Sequence, residues 1–441
     1  MLKNYNYRLS PNHTTERTLF WTLTRCRELY NAALSERKDA YRTHYRQSII
    51  QAEDGSVRAI AMMEIGMKVA NVSYFGQKRD LVEIKQERPE YTQIASHVLQ
   101  DVLTRLDKAF QSFFRRVKNG DTPGYPRFQG RNRYNSFTYP DQAGWKLDVT
   151  KEPEGKGKGY TKGKAVLHLS KIGDVRLILH RPLEGQIKTA TIKYEAGQWY
   201  AIFSCEVPEP EPLPHSTEEV GIDLGVTHLA TLSNGEMIEH PRFFRRATKT
   251  LQRRNQALSR KKRGSHRREK ARKQVAKAHR TIRHQRKDFL HKASRQLVNR
   301  YQLLVFEDIK PSKLTRKPQA KQDQETGQYL PNGAAAKGGL NKSILDAGWG
   351  MFVNMCAYKA EWAGRSMRKV NPAYTSQTCS VCGTVRKKDL SERWHSCECG
   401  AELDRDVNAA INILVGGYQQ AETLPRRGRR QRSQGRRSPS L

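Results

Sequence analysis

Two pairs of cysteines in the last quarter of the chain do most to limit its fold. Cys379-Ser-Val-Cys382-Gly is followed by Cys397-Glu-Cys399-Gly, and then by Asp404-Arg-Asp406-Val-Asn408. Four of the seven cysteines fall inside this short span, and each pair is followed by glycine. Thiolates so paired select zinc in a closed, structural knuckle, and glycine permits the tight turn that brings backbone N–H groups to sulfur. The second pair is tighter than usual, with one residue between its cysteines. Three ligand sets are therefore open: four cysteines, three cysteines with His395, or a knuckle without metal. A folded knuckle would fix the acidic cluster that follows it.

The chain has 441 residues, with 80 Lys+Arg against 44 Asp+Glu and a net charge of +36. Such a charge repels itself unless a polyanion neutralises it, and nucleic acid gains further from counterion release. An anionic membrane surface is the rival partner. No stretch approaches the ~20 apolar residues that span a bilayer, and MLKNYNYRLS has no apolar signal core. A cytoplasmic protein with reduced thiols is expected, with Cys26, Cys205 and Cys356 packed singly.

Residues 2–10 alternate as a strand, and the pattern from about 15 to 118 is helical. Its clearest stripe is Val98, Leu99, Val102, Leu103, Leu106, Phe110, Phe113 and Phe114. Short strands follow at 165–169, 175–179, 188–194 and 199–207. They predict an all-β unit whose first strand is 2–10, with helices inserted. A Pro/Glu linker near 207–214 separates this unit from an α/β domain. There, buried strands are expected at 220–226, 229–232, 303–308 and 366–370. Long helices are expected over 245–298 and 342–364. A polar, mobile loop is expected at 311–341, and a helix at 406–414 stopped by Gly416-Gly417. The arginine-rich tail from 422 reads as disordered.

Asp223 interrupts an apolar strand, Glu307 ends another, and Asp406 opens a helix that Asp404 can cap. Any one of them reads as a turn, strand-end or helix-terminus residue. Together, in a strongly basic chain, three acids from distant segments can gather on one rim of a sheet. There they can hold two magnesium or manganese ions for phosphodiester hydrolysis. Between Arg245 and Arg295 there are 21 Lys/Arg and two acids. A solvated helix face usually mixes signs, so Arg253, Arg254, Lys261, Lys262 and Arg263 are read as phosphate contacts. In Tyr125-Pro-Arg127-Phe128-Gln-Gly-Arg131-Asn-Arg133-Tyr134, arginine alternates with aromatics. That segment suits either stacking on bases or a barrel edge with ordinary core rings.

Several motifs resemble those of the TnpB (OrfB) proteins of bacterial insertion sequences, relatives of the type V CRISPR nucleases. They are Val220-Gly-Ile-Asp-Leu-Gly-Val-Thr, Val305-Phe-Glu-Asp, Ala373-Tyr-Thr-Ser-Gln-Thr-Cys-Ser-Val-Cys-Gly and Asp404-Arg-Asp-Val-Asn-Ala-Ala-Ile-Asn-Ile. Gly124-Tyr-Pro-Arg-Phe, Ser136-Phe-Thr-Tyr-Pro and Asp346-Ala-Gly-Trp-Gly-Met-Phe are similar too.

The resemblance runs from residue 2 to about 417. It implies an α/β multidomain fold with a split wedge β-barrel (1–12 and 121–212) and a helical recognition domain (13–120). It further implies a RuvC, RNase H-like nuclease domain (217–375 and 401–417), a zinc ribbon insert (376–400) and a disordered basic tail (418–441). On this resemblance the protein is an RNA-guided, metal-dependent endodeoxyribonuclease. Its guide RNA comes from the element's own end, and its target is double-stranded DNA beside a short motif. The RuvC acids fall on Asp223, Glu307 and Asp406. The zinc ligands fall on Cys379, Cys382, Cys397 and Cys399. No membrane partner is implied, and the protein would be a monomer or weak dimer. A guided repressor on an inactive scaffold and a transposase are the alternatives.

Overall fold

Alternation of buried and exposed residues with a period of two organises the first of two compact units, Met1–Pro208 and Glu209–Leu441. The structure is a computed structural model that describes residues 1–47, 49–51, 57–59, 72–155, 160–389 and 392–423. The first unit opens with β1 (Leu2–Ser10), α1 (His13–Gln47), β2 (Ile49–Gln51) and β3 (Val57–Ala59). Then come α2 (Tyr74–Arg79), α3 (Leu81–Glu87), α4 (Ser96–Lys118), β4 (Ser136–Tyr139) and β5 (Trp145–Lys151). It ends with β6 (Gly163–Leu169), β7 (Gly173–Leu179), β8 (Gln186–Glu195) and β9 (Gln198–Glu206).

Seven of these strands form one antiparallel sheet in the order β4-β8-β9-β1-β7-β6-β5. The edge strands β4 and β5 are joined only by residues 140–144. A connection that short forces the sheet to curl until its edges meet. The Tyr139 hydroxyl donates to Ser170 O across this seam at 2.9 Å. Inward-facing Tyr5, Tyr7, Leu167, Val175, Ile192, Trp199 and Phe203 fill the barrel.

The helices inserted after β1 share that core. Leu19, Leu23, Cys26 and Leu29 of α1 belong to the same cluster as Val98, Leu99, Val102 and Leu106 of α4. The stripe on α4 ends at Phe110, and Phe114 is exposed. Two expectations are corrected here. The segment 15–118 is not helical throughout, since β2 and β3 form a hairpin within it. Strands β4 and β5 went unread: β4 is only four residues long, and β5 buries only Trp145.

The second unit is α/β. It starts with β10 (Glu219–Asp223), β11 (His228–Leu232), β12 (Met237–Glu239), α5 (Phe243–Ser259), α6 (His266–Arg300) and β13 (Leu303–Glu307). It continues with α7 (Pro311–Leu314), β14 (Lys321–Gln322), β15 (Tyr329–Leu330), α8 (Ala334–Ala347), α9 (Trp349–Trp362) and β16 (Ser366–Val370). The hairpin of β17 (Trp394–Ser396) and β18 (Glu402–Asp404) leads directly into α10 (Arg405–Thr423). The main sheet runs β12-β11-β10-β13-β16. Strands β10, β13 and β16 are parallel, and β11 and β12 are antiparallel. Val220, Ile222, Leu304 and Phe306 pack with Leu290, Leu297, Phe352 and Cys356 of α6 and α9. Leu303, Val305 and Val370 pack instead with Ile413 of α10. By alternation, Asp223 and Glu307 share the α10 side of the sheet.

Three readings of this unit change. The segment 311–341 holds α7, the β14–β15 hairpin and the start of α8, where an unstructured loop was expected. The helix over 342–364 is broken at Gly348, whose φ of +73° only glycine adopts readily. Helix α10 runs through Gly416-Gly417 to Thr423. A Cβ on Gly417 would stand 2.6 Å from Val305 Cγ2, so glycine here seats the helix on the sheet. Residues 424–441 of the basic tail lie outside the described residues.

Candidate nuclease centre and metal knuckle

The candidate acid site is assembled by one close approach. A Cβ on Gly221 would collide with the Ala410 carbonyl oxygen and stand 2.7 Å from Leu414 N. Glycine there lets α10 lie against β10. Asp406 is one helical turn before Ala410, and Asp223 is two strand residues beyond Gly221, so both reach the same rim. Strands β10 and β13 are in parallel register with Ile222 opposite Phe306. The next pair along is Asp223 and Glu307, on strands about 4.8 Å apart. Asp223, Glu307 and Asp406, separated by up to 183 positions in sequence, thus share one rim at the carboxyl ends of the parallel strands, although their carboxylate oxygens do not all lie within 4.8 Å of one another.

Their electrostatics are those of neighbouring like charges with little access to water: Glu307 is buried, and Asp223 and Asp406 are half-buried. Burial pushes the Asp223 carboxyl up to about 8, and the charges of Glu307 and Asp406 push in the same direction. Burial also raises Glu307, against the hydroxyl of Thr375, which donates to Glu307 Oε1. Asp406 is raised by burial and then by Asp404. Asp404 Oδ1 accepts from the N–H groups of Asp406 (2.8 Å) and Val407 (3.2 Å), capping α10. A buried carboxylate set of this kind fits hard divalent cations, whose charge offsets the repulsion that otherwise favours protons.

Residues that sequence reasoning passed over tie this site to the knuckle. Asn412 Nδ2 donates to Thr375 O (2.9 Å) and Thr378 O (2.7 Å). The fully buried Asn408 donates to Thr378 O at 2.8 Å and accepts from Ser380 N at 2.9 Å. One face of α10 therefore fixes the loop that delivers Thr375 to Glu307. Arg405 reaches back to Asp389 O (2.8 Å) and Glu392 O (3.2 Å). The spacing of Asn408 and Asn412, one turn apart, was the available signal.

In the knuckle the four sulfurs close on one point. Cys379 and Cys399 Sγ are 3.7 Å apart, and Cys382 and Cys397 Sγ are 3.6 Å apart. All four lie within 4.8 Å of one another, the one such group among the described residues. Four sulfurs at the ~2.3 Å zinc bond length in a tetrahedron stand about 3.8 Å apart. The donor set and spacing fit zinc. The short second pair works because Gly400, at φ +85°, turns the chain so that Cys397 N donates to Ala401 O at 3.0 Å. His395 is buried against Lys388 and is not in the sulfur group.

The basic-aromatic segment divides between its two readings. Tyr125 packs its ring edge-on to Phe110 (5.4 Å) and Phe113 (5.3 Å), and Tyr134 and Phe137 are buried. Arg127, Phe128, Arg131 and Arg133 are exposed, with Lys38 Nζ 4.4 Å over the Phe128 ring. In the helical hairpin, Arg253, Lys261, Lys262 and Arg263 are exposed. Arg254 is half-buried and donates to Gln274 O at 2.9 Å, clasping α5 to α6. Between Leu251 and Ala278 no residue is buried, so both walls of the hairpin tip present cations.

A family profile described as "Probable transposase" (OrfB of the IS605 type) matches residues 202–317. A second, "Cas12f1-like, TNB domain", matches 349–413, and a third, "Helix-turn-helix domain", matches 1–46. Residues 1–46 form a strand and part of one long helix. The chain is 34% identical over 325 residues to "Putative RNA-guided DNA endonuclease InsQ" of Escherichia coli K12, covering 73% of this chain and 75% of that one. It is 31% identical over 421 residues to "Putative RNA-guided DNA endonuclease" of Streptomyces pristinaespiralis, covering 94% and 89%. A cryo-EM structure of a Cas12f1–sgRNA–target DNA complex aligns over 94% of this chain and 99% of that one. Its identity is 17% and its TM-score 0.30, so the residue assignments here rest on the chain's own geometry. The chain belongs to the TnpB (OrfB) family. Among its described residues, no helix is long and apolar enough to cross a membrane.

Proposed function

We propose that this protein is the RNA-guided DNA endonuclease of a bacterial transposable element. It acts in the cytoplasm, as a monomer or weak dimer, on double-stranded DNA beside a short motif. Its guide is an RNA from the element's own end. The observation that carries the reading is the gathering of Asp223, Glu307 and Asp406, with Asp223 pushed up to about 8 by burial and its two neighbours. A protein that only coats nucleic acid gains nothing from buried like charges. The names of the two bacterial relatives point the same way.

Asp223, Glu307 and Asp406 would hold two divalent ions, magnesium or manganese, which supply an activated water and a counter-charge for the leaving 3′ oxygen. The chain's own part is to hold those carboxylates close together and aimed, leaving the ions to keep them charged. Thr375 fixes one Glu307 oxygen, Asp404 anchors the helix turn that carries Asp406, and Asn408 and Asn412 hold the intervening loop. The four cysteines would bind a structural zinc that keeps this loop folded. Cations of the α5–α6 hairpin, with Arg127, Arg131, Arg133 and Phe128, would grip guide RNA and heteroduplex by phosphate contact and stacking.

The test is to purify the protein with the DNA of its element and sequence the bound RNA. The complex is then re-guided to a supercoiled plasmid. One dominant transcript and linearised plasmid are expected. Bound RNA without a dominant species and without cutting would leave a coating protein. Target DNA joined to a supplied 3′ end would favour the transposase reading suggested by the matched profile's description.

A further inference from the structure

A cavity of about 370 Å³ opens beyond the end of β10, between the β10–β11 connection and the helices α5 and α8. Its walls include Val226 and Thr227, His240, Arg242 and Arg245 at the start of α5, and Lys342 of α8. A cavity of this size has room for one nucleotide. Its exposed cations, Arg245 and Lys342, come from separate elements, α5 and α8. The one carboxylate in the wall, Asp346, is already committed. It is 5% exposed, accepts from Phe244 N at 2.9 Å and pairs with Arg286 at 2.6 Å. It therefore leaves the cavity positive.

His240 gives an independent sign of a ligand. It is 9% exposed, and its Nε2 is buried without a partner. Its Nδ1 lies 3.3 Å from Val226 O, which can only accept, so Nδ1 carries the proton. The remaining ring nitrogen is left for something that enters. A buried polar atom without a partner costs about 1–3 kcal/mol, a cost that water or a ligand at this nitrogen would offset.

The chain also limits how far this cavity can be from the reacting carboxylates. Val226 is three residues beyond Asp223, which is at most about 11 Å of extended chain. Neighbouring phosphates of a single strand fall within that distance. We propose that this cavity is a one-nucleotide subsite, in which Arg245 and Lys342 bind a phosphate and His240 a polar group of a DNA strand entering the acid site. This rests on the endonuclease reading above, and it adds where the strand is gripped.

The probe is thymidine 3′,5′-bisphosphate, which carries one nucleotide with both of its phosphates. It is titrated into the guide-loaded Asp223→Asn protein by calorimetry, so that turnover plays no part. In parallel, the cleavage-competent complex is assayed on a target whose strand concentration is varied. Arg245→Glu with Lys342→Glu changes exposed residues and leaves the core intact. Bisphosphate affinity should fall at least tenfold, and KM for the cut strand should rise by a similar factor with kcat little changed. His240→Leu should weaken the bisphosphate, and His240→Gln should restore part of it. Unchanged bisphosphate affinity in the double variant overturns the subsite, whether or not the protein cuts. Bisphosphate binding that responds to these variants, in a protein that never cuts DNA, keeps the subsite and overturns the endonuclease reading.

Discussion

Replacing Asp223 with asparagine should make the ion-free protein more stable at neutral pH. Asp223 has an ordinary carboxyl value of 3.8 in the unfolded chain and about 8 in the fold, raised by burial and by Glu307 and Asp406. A raised acid favours the native state only while protonated. Its contribution is complete below 3.8 and is lost as the pH rises through about 8. Inside that window the native state binds one more proton than the unfolded chain, so stability falls by about 1.4 kcal/mol per pH unit. Between pH 5 and 7 the wild type should lose about 2–3 kcal/mol that the neutral Asp223→Asn variant keeps. The assay is denaturant unfolding in a chelator at both pH values. Groups distant from the site titrate alike in the two proteins, so the difference between their pH slopes reports Asp223 together with its coupling to Glu307 and Asp406. Magnesium at a hundredfold its dissociation constant should then return about 2.7 kcal/mol to the wild type and little to the variant. Parallel pH profiles for the two proteins would refute the claim that this carboxyl is buried among like charges.

Cys379→Ser and Cys397→Ser should each abolish zinc in elemental analysis, and His395→Ala should leave one zinc per chain. Retained zinc in either cysteine variant would mean another ligand set. Gly221→Ala drives a methyl into the Ala410 carbonyl and should cost about 1–3 kcal/mol or more in unfolding. Gly338→Ala, within α8 and with nothing near its Cβ, should instead gain about 0.5–1 kcal/mol. Replacing Lys261, Lys262 and Arg263 with alanine should lower the slope of log affinity for RNA against log salt by about 2–3, and an unchanged slope would remove them from the phosphate surface.

Much of this site could be read in the sequence because its acids interrupt strongly apolar strands. Leu303-Leu-Val-Phe before Glu307 is buried at every position, and that run cannot be mistaken for a surface. The cysteine spacing was equally plain, and the sulfur positions now exclude His395 from the ligand group. Long-range fit was not legible. Gly416-Gly417 reads as a helix stop when only local propensity is weighed, yet close contact with Val305 demands glycine at Gly417 within a continuing helix. Asn412 looked like an ordinary helix residue, because the carbonyls it satisfies lie more than thirty positions away. Tyr125 and Phe128 were indistinguishable as letters, and only packing against Phe110 and Phe113 makes the first a core ring. The hairpin and helix within 311–341 escaped notice because β14 and β15 are two residues each and α8 begins on alanines and glycines.

Cleavage by single-acid variants goes most directly to the central claim. Guide-loaded Asp223→Ala, Glu307→Ala and Asp406→Ala would be given a matched plasmid in magnesium, with target affinity measured alongside. Each variant should lose cutting by at least about a thousandfold, since each is asked to supply several kcal/mol at the transition state. Each should still bind its target within a few-fold of the wild type. Wild-type cutting by any one of the three would contradict the account.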